Sequence, residues 1–243
     1  ESFNRQFLYG QSYFRSRFGL TCHTAWLPDT FGFSAVLPQL FLAAGLDSML
    51  TTKVTWNETD SMPDNIFRWQ GLDGSQILVH TFETGIFGGY NMELSPRAVQ
   101  EVWRLFKNKT LHDETLATYG YGDGGGGPTA EQVESIEVIN RLPAVPKVKS
   151  VLVRDFFDRL RSELADADVP VWNGELYLEY HRATLTTQGR TKYLMRAGQN
   201  SLTAAEILEG LLWLSGAESD ADTAGDYAAL WELLLRNQFH DAL

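Results

Sequence analysis

Two acidic residues have surroundings that suit a carboxylate with a chemical role. Asp29 is the only charged residue of WLPDTFGFSAVLPQL, residues 26–40, where it lies between two prolines and close to Phe31. Asp123 lies in a glycine run, GYGDGGGGPT. Hydrolysis of a glycosidic bond needs such a pair, with one carboxylate as base or nucleophile and one protonated as acid. An aromatic ring beside the acid would suit the apolar face of a sugar.

Each acid also has a simpler explanation. Asp29 could cap a following helix, although Phe31 and Gly32 directly after it make a regular helix there less favourable. The spacing of Gly120, Gly122 and Gly125 matches G-x-G-x-x-G, which is typical of a dinucleotide-binding turn, but Asp123 would then lie among amides meant for a pyrophosphate. A flexible turn between a strand and a helix is the third possibility.

Histidine offers two further candidates. His240 and Asp241 lie in RNQFHDAL, on the inward face of the last predicted helix, where His240 could be a metal ligand or a hydrogen-bonded core residue. His181 could likewise be functional, or could form a structural ion pair with Glu175 or Glu179.

Composition limits the classes of partner. The formal net charge of −11 argues against nucleic acid and anionic membranes, and no apolar run is long enough to span a bilayer. The single cysteine excludes an internal disulfide framework and suits a reducing, cytoplasmic location. A homo-oligomer is left open.

The elements that must position these residues follow from local patterns. Strands are predicted at residues 48–52, 77–82 and 116–119, and near 147–151. Helices are predicted after Ser95, at residues 130–141 behind a Thr129–Gln132 capping box with Val133, Ile136 and Ile139 inward, and around residues 156–164. Two long helical patterns follow, at residues 196–214 and 223–242, joined by a polar connection at 216–222.

The alternation of strands and helices predicts a mainly parallel α/β domain over residues 1–183. The helical patterns predict the first part of a bundle over residues 184–243. The chain starts without methionine and stops directly after an apolar helical pattern, so we expect a fragment of a longer protein.

Six segments, taken together and in this order, resemble the α-mannosidases of glycoside hydrolase family 38, especially the bacterial and cytosolic branch. They are ESFNRQFLYGQSYFRSRFG, WLPDTFGFSAVLPQL, TTKVTWNETDSMPDNIFRWQGLDGSQILVHTF, GYGDGGGGPT, GELYLEYHRATLTTQ and LLLRNQFHDAL. The resemblance implies a retaining, zinc-dependent enzyme acting on terminal mannose of oligosaccharides. It implies that the chain contains part of a catalytic domain with a seven-stranded sheet, followed by part of a middle domain that is a three-helix bundle.

The resemblance also implies residue roles. Asp29 would be the nucleophile and a zinc ligand, His240 a second zinc ligand, and Asp123 the acid/base. Phe31, Lys53 and Asp241 would contact the sugar. A dinucleotide-binding oxidoreductase and a non-catalytic sugar-binding module are the alternatives.

One departure concerns the metal. The family's other two zinc ligands belong to an H-x-D motif, and none of the five histidines here has Asp two residues later. Zinc usually needs three or four protein ligands. The isolated chain is therefore expected to bind zinc poorly and to be inactive.

Overall fold

The structure is a computed structural model that describes residues 1–86, 89–123, 125–216 and 223–243. The chain divides into two compact units. One comprises residues 22–180, and the other comprises residues 1–21 together with residues 181–243. The predicted domain division at residues 183 and 184 stays a prediction.

The described part of the larger unit contains a five-stranded sheet and a two-stranded one. The strands in chain order are β1 (Thr24–Leu27), β2 (Gly32–Phe33), β3 (Ser48–Thr51), β4 (Ile66–Gln70), β5 (Gln76–Thr81), β6 (Val171–Asn173) and β7 (Leu176–Tyr177). The larger sheet has the order β1-β3-β5-β4-β6, and β2 pairs with β7. Only the β4–β5 pair of the larger sheet is antiparallel, which confirms the predicted mainly parallel α/β class.

The helices of this unit are α2 (Leu37–Ala43), α3 (Pro96–Leu105), α4 (Ala130–Arg141) and α5 (Val153–Glu163), and a short 3₁₀ helix spans Lys53–Thr55. The predicted helix starts are confirmed: the Ser95 hydroxyl accepts the Ala98 N–H, and Thr129 and Gln132 form a reciprocal capping box. These caps satisfy amides that the first helical turn leaves without partners.

The core of the larger unit lies between the sheet and its helices. Leu50, Ile66 and Leu78 from the strands pack with Phe156 and Leu160 of α5, and all of them are almost fully buried. Burial of such side chains is the main stabilising contribution to a fold of this kind.

Several local predictions are wrong. Residues 147–151 form no strand, because the Asn140 side chain occupies both the N–H and the C=O of Val148, at 2.7 and 2.8 Å. Residues 116–119 give only an isolated bridge from Tyr119 to Met92. Val133, predicted to face inward, is half exposed, whereas Ile139 is buried as predicted and Gln132 is buried beside it.

The smaller unit is helical. It contains α1 (Ser2–Phe18), a 3₁₀ helix at Arg182–Leu185, α6 (Gly189–Leu214) and α7 (Thr223–Arg236). Arg5 of α1 lies over the fully buried Trp231 ring of α7 at 4.8 Å and pairs with Glu206 of α6. These contacts join all three helices. No helix within the described ranges combines the length and hydropathy that a bilayer-spanning segment needs.

The last predicted helix is shorter than expected. It ends at Arg236, so His240 lies in the turns beyond it and not on its inward face. The Asn237 and Gln238 amides donate to the carbonyls of Leu234 and Leu235, a tightening that ends the α-helix. Most of the predicted connection at 216–222 lies outside the described residues.

Candidate active site

The candidate site of the larger unit is built at the carboxyl ends of three adjacent strands, β1, β3 and β5. Leu27 at the end of β1 is level with Thr51 at the end of β3, and Thr51 is level with Thr81 of β5. The Thr51 hydroxyl donates to the Leu27 carbonyl at 2.7 Å, which fixes two strand ends against each other. Because the strands are parallel, the segments that follow them emerge at one edge of the sheet, where ligands bind in open α/β sheets.

Asp29 lies in the segment after β1. The first following helix, α2, begins at Leu37 with Val36 as its N-cap, so Asp29 does not cap it. The helix-cap alternative for Asp29 is therefore wrong. The chemical role of this partly buried carboxylate stays a prediction.

Lys53 holds the Asp29 carboxylate from the 3₁₀ helix that follows β3. Its Nζ lies 2.9 Å from Asp29 Oδ1, and its side chain is only 9% exposed. The same ammonium lies 3.6 Å from the centre of the Trp56 ring, a favourable cation–π geometry. Because both charges are largely shielded from water, their attraction is stronger than that of a surface pair.

Tyr90 is the second partner of this carboxylate. Its hydroxyl donates a hydrogen bond of 3.1 Å to Asp29 Oδ1. Burial, the charge of Asp29, the hydrogen bond to Asp29 and the charge of Asp123 together raise the pKa of Tyr90 to about 12. The phenol therefore remains a donor at neutral pH.

Asp123, the second predicted carboxylate, also acts electrostatically on Tyr90. It is exposed, has a left-handed backbone with φ of 57°, and contributes its charge to the rise in the Tyr90 pKa. Both predicted carboxylates therefore contribute to the raised pKa of one phenol. Phe31 is half-buried and lies just before β2.

Gly120 and Gly122, on the N-terminal side of Asp123, are packed closely against other parts of the chain. The Tyr121 and Gly127 amides and carbonyls pair with each other, which brings these two positions of the run together. A Cβ on Gly120 would lie 2.5 Å from the Pro128 nitrogen, and one on Gly122 would lie 2.0 Å from the Asn91 carboxamide oxygen. These positions exclude side chains because protein atoms already occupy the space, and the dinucleotide-binding alternative gains no support.

His240 and Asp241 belong to the smaller unit. The His240 Nε2 lies 3.4 Å from Asp241 Oδ1, and its ring packs on Phe239 at 4.4 Å between centroids. His240 is mostly buried, whereas Asp241 is largely exposed. An imidazole and carboxylates are donors that zinc accepts, so the chemistry of Asp29 and His240 fits the predicted metal.

Sequence reasoning missed two residues of the site. Trp56 stands in the TKVTW segment, but nothing local indicates that its ring receives the Lys53 ammonium. Tyr90 follows β5 by nine residues, with residues 87 and 88 outside the described part of the chain. Only the order of the parallel strands brings it to Asp29.

These features define an α/β protein with a carboxylate site at the carboxyl ends of parallel strands. Two family models match the chain in succession. Glycosyl hydrolases family 38 N-terminal domain matches residues 1–175, and alpha mannosidase middle domain matches residues 179–243. The chain therefore belongs to glycosyl hydrolase family 38, and its helical C-terminal part is the family's middle domain.

Individual relatives agree with this assignment. An alpha-mannosidase of Saccharomyces cerevisiae is 38% identical and alpha-mannosidase 2C1 of Homo sapiens is 37% identical, each over the whole chain. The chain spans 23% of the length of each of these two relatives. The crystal structure of an alpha-mannosidase from Enterococcus faecalis V583 matches the fold with a TM-score of 0.70 at 19% identity, over 99% of this chain and 28% of that one.

Proposed function

We propose that the chain is the part of a retaining α-mannosidase that supplies the nucleophile, and that the substrate is a terminal mannosyl residue of an oligosaccharide. The observation that supports this most strongly is the Asp29 carboxylate, held by Lys53 at 2.9 Å and by Tyr90 at 3.1 Å. Membership of family 38 and the alpha-mannosidase relatives favour the same reaction.

In the proposed reaction Asp29 attacks the anomeric carbon while Asp123 donates its proton to the departing glycosidic oxygen. The products of this step are a free alcohol and a mannosyl ester of Asp29. Asp123, now ionised, then takes a proton from water, whose oxygen attacks the same carbon and releases mannose and the Asp29 carboxylate. The anomeric configuration is inverted twice and so retained.

Lys53 and Tyr90 have defined tasks in this scheme. Both direct hydrogens at Oδ1 of Asp29, which fixes the orientation of the carboxylate. Fixing the nucleophile before the substrate arrives lowers the entropic part of the barrier. Phe31, Lys53 and Asp241 are proposed to contact the sugar.

Zinc is proposed as the metal, with Asp29 and His240 among its ligands. When bound, it would orient mannose hydroxyls and stabilise charge that develops at the sugar. The single cysteine favours a reducing compartment, and we propose a cytoplasmic enzyme on that ground.

The test is an Asp29→Asn substitution in the native, full-length protein, with Asp166→Asn as the matched control on an exposed residue. Loss of a nucleophile should lower kcat/KM for an aryl α-mannoside by about a thousandfold or more. The control should stay close to wild type. Undiminished turnover by Asp29→Asn would refute the assignment.

A further inference from the structure

The loop that carries Lys53 into the site continues into residues 57–60, and these are anchored by one buried side chain. Glu179 is 6% exposed. Its carboxylate accepts the N–H groups of Glu58 at 3.0 Å, of Thr59 at 3.0 and 3.1 Å, and of Asp60 at 2.6 Å. Consecutive amides that converge on one carboxylate form strong, charge-assisted hydrogen bonds.

The backbone around Glu179 strengthens this anchor. The Glu179 N–H donates to the Asn57 side-chain oxygen at 2.7 Å, and the Asn57 amide nitrogen donates to the Tyr177 carbonyl at 2.9 Å. Asn57 also donates to the Val54 carbonyl, inside the 3₁₀ helix that begins at Lys53. The loop is thus tied to residues 177–179 at both of its ends.

The same short segment also holds the loop of the nucleophile. Leu176 and Tyr177 pair antiparallel with Phe33 and Gly32, only three to four residues after Asp29. A Cβ on Gly32 would lie 3.1 Å from the Leu176 carbonyl oxygen, and its φ is +117°, so glycine is required for this approach.

We propose that residues 174–180, named here the clamp segment, set the distance between Asp29 and Lys53, with Glu179 as the positioning residue. Asp29 and Lys53 lie on two different loops, and the clamp segment is hydrogen-bonded to both. Glu179 acts on the reaction through Lys53 and does not touch the substrate. This inference rests on the proposed function for its catalytic part only.

The first test is hydrogen exchange in the native, full-length protein. Glu179→Gln replaces one acceptor oxygen by a donor that faces backbone N–H groups. Loss of hydrogen bonds to a charged group should accelerate exchange of the residue 58–60 amides by about tenfold or more. Glu175→Gln, the same change at an exposed position of the clamp segment, should leave their exchange unchanged. Equal exchange in both variants would overturn the anchor.

The second test is a double-mutant cycle on kcat/KM for an aryl α-mannoside. Displacement of Lys53 by about 1 Å should cost about a hundredfold in Glu179→Gln. In a Lys53→Met background the same change should lower kcat/KM by less than about threefold, because the ammonium through which Glu179 acts is absent. An equal cost in both backgrounds would show a purely structural role and overturn the proposal.

The two tests separate the possible failures. A native protein that hydrolyses no aryl α-mannoside would refute the proposed function, while the exchange experiment would still decide the role of Glu179. If Glu179→Gln does not fold, the same two measurements are made on Glu179→Asp. This variant keeps the negative charge, but its shorter side chain moves the carboxylate away from the amides of residues 58–60, so the expected directions are the same.

Discussion

Protonation of one buried histidine should make the larger unit sensitive to acid. His80 is fully buried among Phe82, Phe106 and Phe156. Its Nε2 lies 3.3 Å from the Leu116 nitrogen, whose N–H it can accept, and 3.1 Å from the Thr115 hydroxyl. Burial, followed by the charge of His112, lowers the pKa of His80 from 6.5 to about 3.

The magnitude follows from linkage between protonation and folding. As the pH falls below 6.5 the unfolded chain takes up this proton first, because the folded pKa is lower. The contribution of neutral His80 to stability is therefore complete above pH 6.5 and is lost as the pH falls towards 3. Each pH unit is worth about 1.4 kcal/mol, which gives a loss of about 2.7 kcal/mol by about pH 4.5.

The assay compares urea unfolding of wild type and His80→Gln between about pH 7 and pH 4.5. Glutamine keeps an acceptor for the Leu116 N–H but does not titrate. Acidification should therefore cost the wild type about 2.7 kcal/mol more than the variant, since other groups titrate alike in both. His23→Gln, outside the core, serves as the control and should follow the wild type.

The refuting result is specific. If wild type and His80→Gln lose stability in parallel across this range, then His80 is not held neutral by its burial, and the arrangement of the core around it is wrong.

Three further predictions concern the glycine run, the acid/base and the metal. Gly120→Ala should lower Tm clearly, because the φ of Gly120 is +108° and the new Cβ would lie 2.5 Å from a backbone atom. Gly10→Ala, in a helix where the new Cβ would meet open space, should raise Tm slightly. Calorimetry of both variants checks this. Asp123→Asn should lower kcat/KM by about 10²- to 10⁴-fold for mannosides with poor leaving groups, but far less for a dinitrophenyl mannoside, which needs no acid. Equal losses on both substrates would contradict the acid/base role. The isolated 243-residue chain should contain far less than one zinc per molecule by plasma-emission analysis; one tightly held ion would contradict this.

The elements predicted correctly were those with local causes. Ser95 and Thr129 determine helix starts through contacts three residues away, and the apolar runs of β3 and β5 are buried wherever the sheet places them. The mainly parallel character of the sheet was also predictable, because strand patterns alternate with helical patterns in the sequence.

The errors arose where a distant group replaced the expected partner. Residues 147–151 alternate like a strand, but the Asn140 side chain supplies the hydrogen bonds that a neighbouring strand would have given to Val148. At the site, Asp29 and Lys53 could be singled out from their segments, whereas their pairing and the donor Tyr90 depend on strand order. The anchoring role of Glu179 had no local signal, since the amides that it accepts lie about 120 residues earlier.

The central claim, that Asp29 is the nucleophile of a retaining α-mannosidase, is tested most directly by trapping the intermediate. A fluorinated mannosyl fluoride that forms the glycosyl-enzyme but hydrolyses slowly should add one sugar to the native, full-length protein, and tandem mass spectrometry should place it on Asp29. A label on another carboxylate, or complete hydrolysis of natural substrate with inversion of configuration, would contradict the account.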